Sequence, residues 1–262
     1  LHYPLRRQRQ MCIRDSQCIP RKKKTALQMT NEKRRRIYLM RHGNVTYFDD
    51  DGTAYPPDEV PLNEKGRAQT TAAGKVFAGL GIQFDRVITS NLPRTIESAT
   101  RVLAETGQQI EIESWPEFQE VRGGLLEVIH DDDLEAAFTH AFASMAAEHK
   151  KFLDGESVGE LLDRIHPTID KLRADPSWDT VLLVLHGGVN RAVLSYAITS
   201  QRIFLGNIEQ APGCINVLDV GQRSNDWVIQ TINYSPLLPL QTESRLSTME
   251  EMLHQYRKSR LR

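Results

Sequence analysis

The chain has 262 residues, 40% of them hydrophobic and 26% charged, with a formal net charge of −1 and three cysteines. That is the composition of an ordinary globular protein with a sizeable core, and three cysteines exclude a disulfide framework. The longest apolar runs are about a quarter of the ~20 residues a membrane span needs, and no charged-then-apolar leader opens the chain, which reads as soluble and cytoplasmic.

In chain order, residues 1–35 read as a basic tail. Residues 1–36 hold 12 of the 33 Lys and Arg against two acids, Asp15 and Glu32, which leaves 21 basic and 32 acidic residues for the rest. The blocks RKKK at 21–24 and KRRR at 33–36 would suit a nucleic-acid arm or an anionic membrane contact. A solvated, disordered tail is the commoner case, so neither a nucleic acid nor a membrane is expected as partner. LRRQRQMCIRDS at 5–16 resembles translated adapter sequence, which makes Met29 the expected start and removes Cys12 and Cys18 from the argument.

From residue 37 apolar runs alternate with helical patterns. Strands are predicted at 37–40, 86–89, 110–113, 181–185, 215–220 and 227–232, and helices near 63–79, 93–106, 132–150, 157–173 and 188–199. Ser157 and Glu160 form a capping box for the fourth helix, which Pro167 should kink or interrupt. The alternation predicts one domain over 36–235: a three-layer α/β/α fold around a mostly parallel sheet. Residues 121–156 read as an insertion, and 236–262 as a peripheral helix or frayed tail. Cys214 reads as a buried free thiol.

Two strands end alike, IYLMRHGNV at 37–45 and VLLVLHGGV at 181–189. In open α/β sheets ligands gather at the carboxyl ends of strands, and the following glycines let the backbone turn tightly. Arg41 precedes His42, and Arg94 follows the strand ending RVITS, so two guanidinium groups are expected near His42 and His186, an anion-seeking arrangement. A metal site is not expected, because no compact ligand spacing is present and the arginines would repel a dication. The other histidines, 130, 140, 149, 166 and 254, read as core or surface residues.

Taken together, Arg41-His42-Gly43, PLNEKGRAQ at 61–69, SNLPRTIESA at 90–99, FQEVRGG at 118–124, GES at 155–157 and HGG at 186–188 resemble the histidine phosphatase superfamily, in the branch related to cofactor-dependent phosphoglycerate mutases. The resemblance implies a phosphoglycerate mutase-like fold and a metal-independent reaction that needs no cofactor. It implies that His42 is the nucleophile and becomes a phosphohistidine, while Arg41, Arg94 and a positively charged His186 hold the phosphoryl oxygens. Glu120 would be the acid that protonates the leaving oxygen and the base that activates water, with Glu117 as the alternative carboxylate. Asn44 and Ser90 are candidate donors to phosphate, a turn or cap being the alternative. Arg164, Glu156 and Ser157 read as structural.

The mutase pattern has Ser or Thr where Val45 stands, Asn where Phe48 stands, and an Arg-His-Tyr-Gly run where Glu120 is followed by Val-Arg-Gly-Gly. Hydrolysis of a small phosphorylated substrate is therefore preferred to mutase-type transfer and to a non-catalytic phosphate-binding module. Specificity is expected from residues 44–60 and 121–156.

Overall fold

The computed structural model describes residues 33–47, 55–124, 129–240 and 245–259, without the side chains of residues 141 and 259. The tail up to residue 32, with Met29 and the two tail cysteines, and Phe48 lie outside the described residues.

A six-stranded sheet carries the fold, in the order β3-β2-β5-β1-β7-β8. Its strands are β1 (Arg35–Arg41), β2 (Arg86–Thr89), β3 (Ile112–Ser114), β5 (Thr180–Leu185), β7 (Ile215–Val220) and β8 (Trp227–Tyr234). The first four to the left, β3, β2, β5 and β1, run parallel, and β7 and β8 complete the sheet as antiparallel neighbours. This is the expected α/β architecture with a mostly parallel sheet.

Alternation along the central strands makes two cores. Ile37 and Leu39 of β1 and Val181, Leu183 and Leu185 of β5 face one side, where α4 (Val158–Ala174) and α5 (Gly187–Thr199) pack. Tyr38 and Met40, with Leu182 and Val184, face α1 (Glu64–Gly79) and α2 (Pro93–Thr106) on the other. Period-2 side-chain geometry thus requires strands apolar on both faces, which is how β1 and β5 read in sequence.

Two expectations change. The helix near 132–150 is only Leu134–Thr139 (α3), flanked by 3-10 turns Asp131–Asp133 and His140–Phe142. Ser144 then takes φ 49°, and Met145–Ala146 (β4) pairs with Phe204–Leu205 (β6) as a two-stranded ribbon. Tertiary pairing overrides a run of good helix formers. Pro167 does not interrupt α4, which runs through it. The proline and Asp163, whose carbonyl would lose its partner, are both exposed, so water can satisfy the freed group. The predicted capping box of α4 is present, with Glu160 N–H donating to Ser157 Oγ and Ser157 N–H to Glu160 Oε2.

Of the two readings of residues 236–262, a peripheral helix or a frayed tail, residues Thr248–Ser259 form the helix, α6. It buries Met249, Leu253 and Tyr256, the last against Phe138 of α3 at 5.8 Å between ring centroids. No helix among the described residues is long and apolar enough to cross a membrane. Cys214 is buried just before β7, and burial pushes its thiol pKa up to about 12, which leaves it inert as a nucleophile.

Candidate active site

Strand register brings the two histidines together. Arg41 of β1 pairs with Leu185 of β5, so the residues that follow, His42 and His186, leave adjacent strand ends side by side. Their rings lie 5.1 Å apart between centroids at 63°, and both are buried. Thr89 of β2 pairs with Val184 in the same way, which places Ser90 beside His186, Oγ to Nε2 at 2.7 Å. Helices α2 and α5 start at these same strand ends, and neither has a side-chain cap at its N-terminus. Both positive dipole ends therefore point at the site.

The turn after His42 depends on two glycines meeting back to back. A Cβ on Gly43 would collide with the Gly66 carbonyl, and a Cβ on Gly66 with Asn44. Gly66, from the PLNEKGRAQ stretch, thus lets α1 close against the Arg-His-Gly turn.

His42 Nδ1 lies 2.7 Å from the Gly43 carbonyl oxygen. A carbonyl only accepts, so Nδ1 carries the proton and Nε2 keeps the lone pair. Burial first, then Arg94 and Arg41, hold the His42 pKa well below 6.5, so the imidazole is neutral. The same causes, burial followed by Arg94, His42 and Arg41, keep His186 neutral too. The positive charge expected of His186 belongs to the ring facing a phosphate.

Arg41 donates through Nη1 to the Gln210 carbonyl at 2.6 Å and to Thr248 Oγ1 at 3.0 Å. Arg94 donates to the Pro57 carbonyl at 2.8 Å. Each leaves its Nε–H buried without a partner, and His186 Nδ1 is buried without one too. Buried guanidinium donors without partners are costly, and an anion bound to them would satisfy them.

Glu120 approaches from the segment after β3. Its carboxylate accepts from Gly188 N–H, 3.2 Å to either oxygen, and from Val121 N–H at 2.9 Å. A Cβ on residue 188 would lie 2.6 Å from Glu120 Oε1, so the second glycine of His-Gly-Gly admits the carboxylate to the first turn of α5. Glu117, the alternative, is exposed on the 3-10 turn Pro116–Phe118.

Asn44 takes part in the turn, the alternative read for it. Its Oδ1 accepts from Asn63 Nδ2 at 2.7 Å and its N–H donates to Gln69, which ties the turn to the start of α1. Four residues that sequence reading left out of the site belong to its frame. Arg164 grips Glu156 at 2.7 Å and donates to the carbonyls of Glu117, Gln119 and Glu120, bracing the segment that carries Glu120. Arg191, one turn after Gly187, is buried with an unpartnered Nε and pairs with Glu209 at 3.1 Å; its position four residues along the helix was the available signal. Gln210 holds Arg41 through its carbonyl and Asn216 through its amide, and Thr248 donates to Glu209 Oε1 at 2.7 Å, and neither had a local motif to mark it.

Residues 37–235 match the family model for the histidine phosphatase superfamily, branch 1. The chain belongs to that superfamily. A probable phosphoglycerate mutase of Salmonella paratyphi A is 30% identical over 154 residues, 58% of this chain and 69% of the relative. An adenosylcobalamin/alpha-ribazole phosphatase of Escherichia coli K12 is 26% identical over 190 residues, 72% of this chain and 91% of the relative. A mycobacterial glucosyl-3-phosphoglycerate phosphatase superposes with a TM-score of 0.60 at 21% identity, covering 76% of this chain and 98% of that one. Superfamily members of both kinds, phosphatase and mutase, are thus among its relatives, and the fold is that of phosphoglycerate mutase-like proteins.

Proposed function

We propose that this superfamily member hydrolyses small phosphomonoesters without a metal or cofactor, through a phosphohistidine on His42. The observation that carries the reading is the pairing of a neutral His42, its proton held on Nδ1 by Gly43, with two buried unpartnered guanidinium Nε–H donors, from Arg41 and Arg94.

His42 Nε2 attacks phosphorus, the bond to the alcohol oxygen breaks, and Glu120 gives that oxygen its proton. Water then attacks phosphorus, Glu120 takes a proton from it, and the N–P bond breaks to release phosphate. Arg41 and Arg94 offset the charge that builds on the equatorial oxygens. Burial first and then the neighbouring arginines keep His186 neutral, and a dianionic phosphoryl group would offset both, so that ring would gain its proton as substrate binds.

Val45 supports hydrolysis over transfer. It stands where the mutase pattern has a hydroxyl, and it is buried with Val60 and Leu62, bridged to Leu62 as a β-bridge. It offers no hydrogen bond to a second position of a substrate.

The test is phosphate release from a panel of phosphomonoesters in excess chelator, comparing wild type with His42→Ala. The reading requires chelator-resistant release that falls on the order of 10⁴-fold or more in the variant. Release that chelator abolishes, or that survives the substitution, overturns it.

A further inference from the structure

The cavity lined by Arg41, Arg94, Glu120 and the Gly187-Gly188 turn that follows His186 holds about 460 Å³, far more than a phosphoryl group occupies. Its charges are segregated. Arg41, Arg94 and Arg191 are each no more than 5% exposed, while Asp58 and Arg122 are exposed at its mouth. Between them the lining is apolar. Phe142 and Phe152 meet edge to face at 5.5 Å, with Leu153 and Val121 beside them in the lining. From α6, Thr248, Met249 and Met252 share one helix face and line the cavity. Tyr47 and Tyr55 contribute aromatic surface from the segment before α1.

We propose that the cavity takes the alcohol portion of the substrate and selects monoesters of bulky, apolar alcohols over those of small, charged sugar acids. The inference rests on the phosphatase reading and extends it to substrate class. A sugar acid carries a second anion, which needs a second unpaired cation along the wall. Among the described lining residues, Arg191 is paired with Glu209 at 3.1 Å and lies over the Phe142 ring at 5.3 Å, and Arg122 is exposed to water at the mouth, where screening weakens its hold on an anion. An apolar alcohol instead gains by leaving water, and the two methionines adapt their shape to it. The α6 helix, which touches Arg41 through Thr248, thus joins the phosphate floor to the wall that selects the alcohol.

The test uses esters whose leaving alcohols have similar acidity, so that chemistry does not mask binding. kcat/KM is measured for ethyl phosphate, 2-phenylethyl phosphate and 3-phosphoglycerate on wild type and Met252→Glu. The expected result is a preference for the phenylethyl ester over the other two on the order of tenfold or more, the worth of burying a side-chain-sized apolar group. Met252→Glu should cut that ratio, and Met252→Gln should move it the same way if the glutamate variant does not fold. Equal rates, a preference for 3-phosphoglycerate, or a ratio indifferent to both substitutions overturns the proposal. Titration with ethylphosphonate and 2-phenylethylphosphonate, whose P–C bond is not hydrolysed, separates the two readings. If no ester is turned over but the phenylethyl compound binds more tightly, hydrolysis is wrong and the cavity assignment stands; equal affinities sink the assignment.

Discussion

The floor of the site and its walls are built by different physics. The floor is set by the hydrogen-bond ladder: Arg41 opposite Leu185 and Thr89 opposite Val184 fix His42, His186 and Ser90 at adjacent strand ends. The walls come from irregular chain, the segments 55–58 and 116–124, and from α6, which is 206 residues from His42 at its first residue, Thr248. A one-residue slip in the floor would reverse every side chain, whereas the walls are held by individual side-chain clamps. On the proposed function, the chemistry would sit on the part least able to drift, and substrate choice on the part most open to change.

The comparison is broken most directly at a clamp. Arg164 and Glu156 are largely buried, with side-chain exposures of 19% and 10%, and Arg164 satisfies three carbonyls besides. Arg164→Ala should cost about 3 kcal/mol of stability, since it leaves a carboxylate and several carbonyls unpaired. Denaturant unfolding measures it, and a change under about 0.5 kcal/mol would show the clamp to be ornamental.

Gly188→Ala tests whether the wall and floor meet where described. The added methyl occupies the space of Glu120 Oε1, so kcat should fall on the order of 10²-fold while Tm changes little. Gly79→Ala is the control, because nothing lies within 4 Å of its added Cβ. Glu120→Gln should slow esters with poor leaving groups more than those with good ones, and equal losses on both would remove Glu120 from the acid role.

The smallest effect concerns the floor alone. Both histidines have folded pKa values depressed below 6.5, so the unfolded chain takes up their protons first as pH falls. The stability they contribute is present above 6.5 and is lost below it, at up to about 1.4 kcal/mol per pH unit for each ring. Unfolding free energies at pH 7.5 and 5.5 should fall less steeply for His186→Asn than for wild type; identical slopes would mean that His186 is not held neutral.

The floor was legible in the sequence because apolar strand runs ending in His-Gly carry a local signature, and the parallel sheet that aligns them follows from the alternation of elements. The walls were not. Residues 132–150 have helix-forming composition, yet Met145–Ala146 pairs with Phe204–Leu205, a contact no local pattern announces. Thr248 and Gln210 reach Arg41 only through tertiary contact. Arg191 was the recoverable omission, since one helical turn separates it from Gly187.

The central claim is that His42 carries the phosphoryl group during turnover. Rapid acid-free quenching of a reaction with ³²P-labelled substrate, followed by peptide mapping, should find an acid-labile, alkali-stable label on the peptide containing His42, absent from His42→Ala. An acid-stable label, or label on any other residue, would contradict the account.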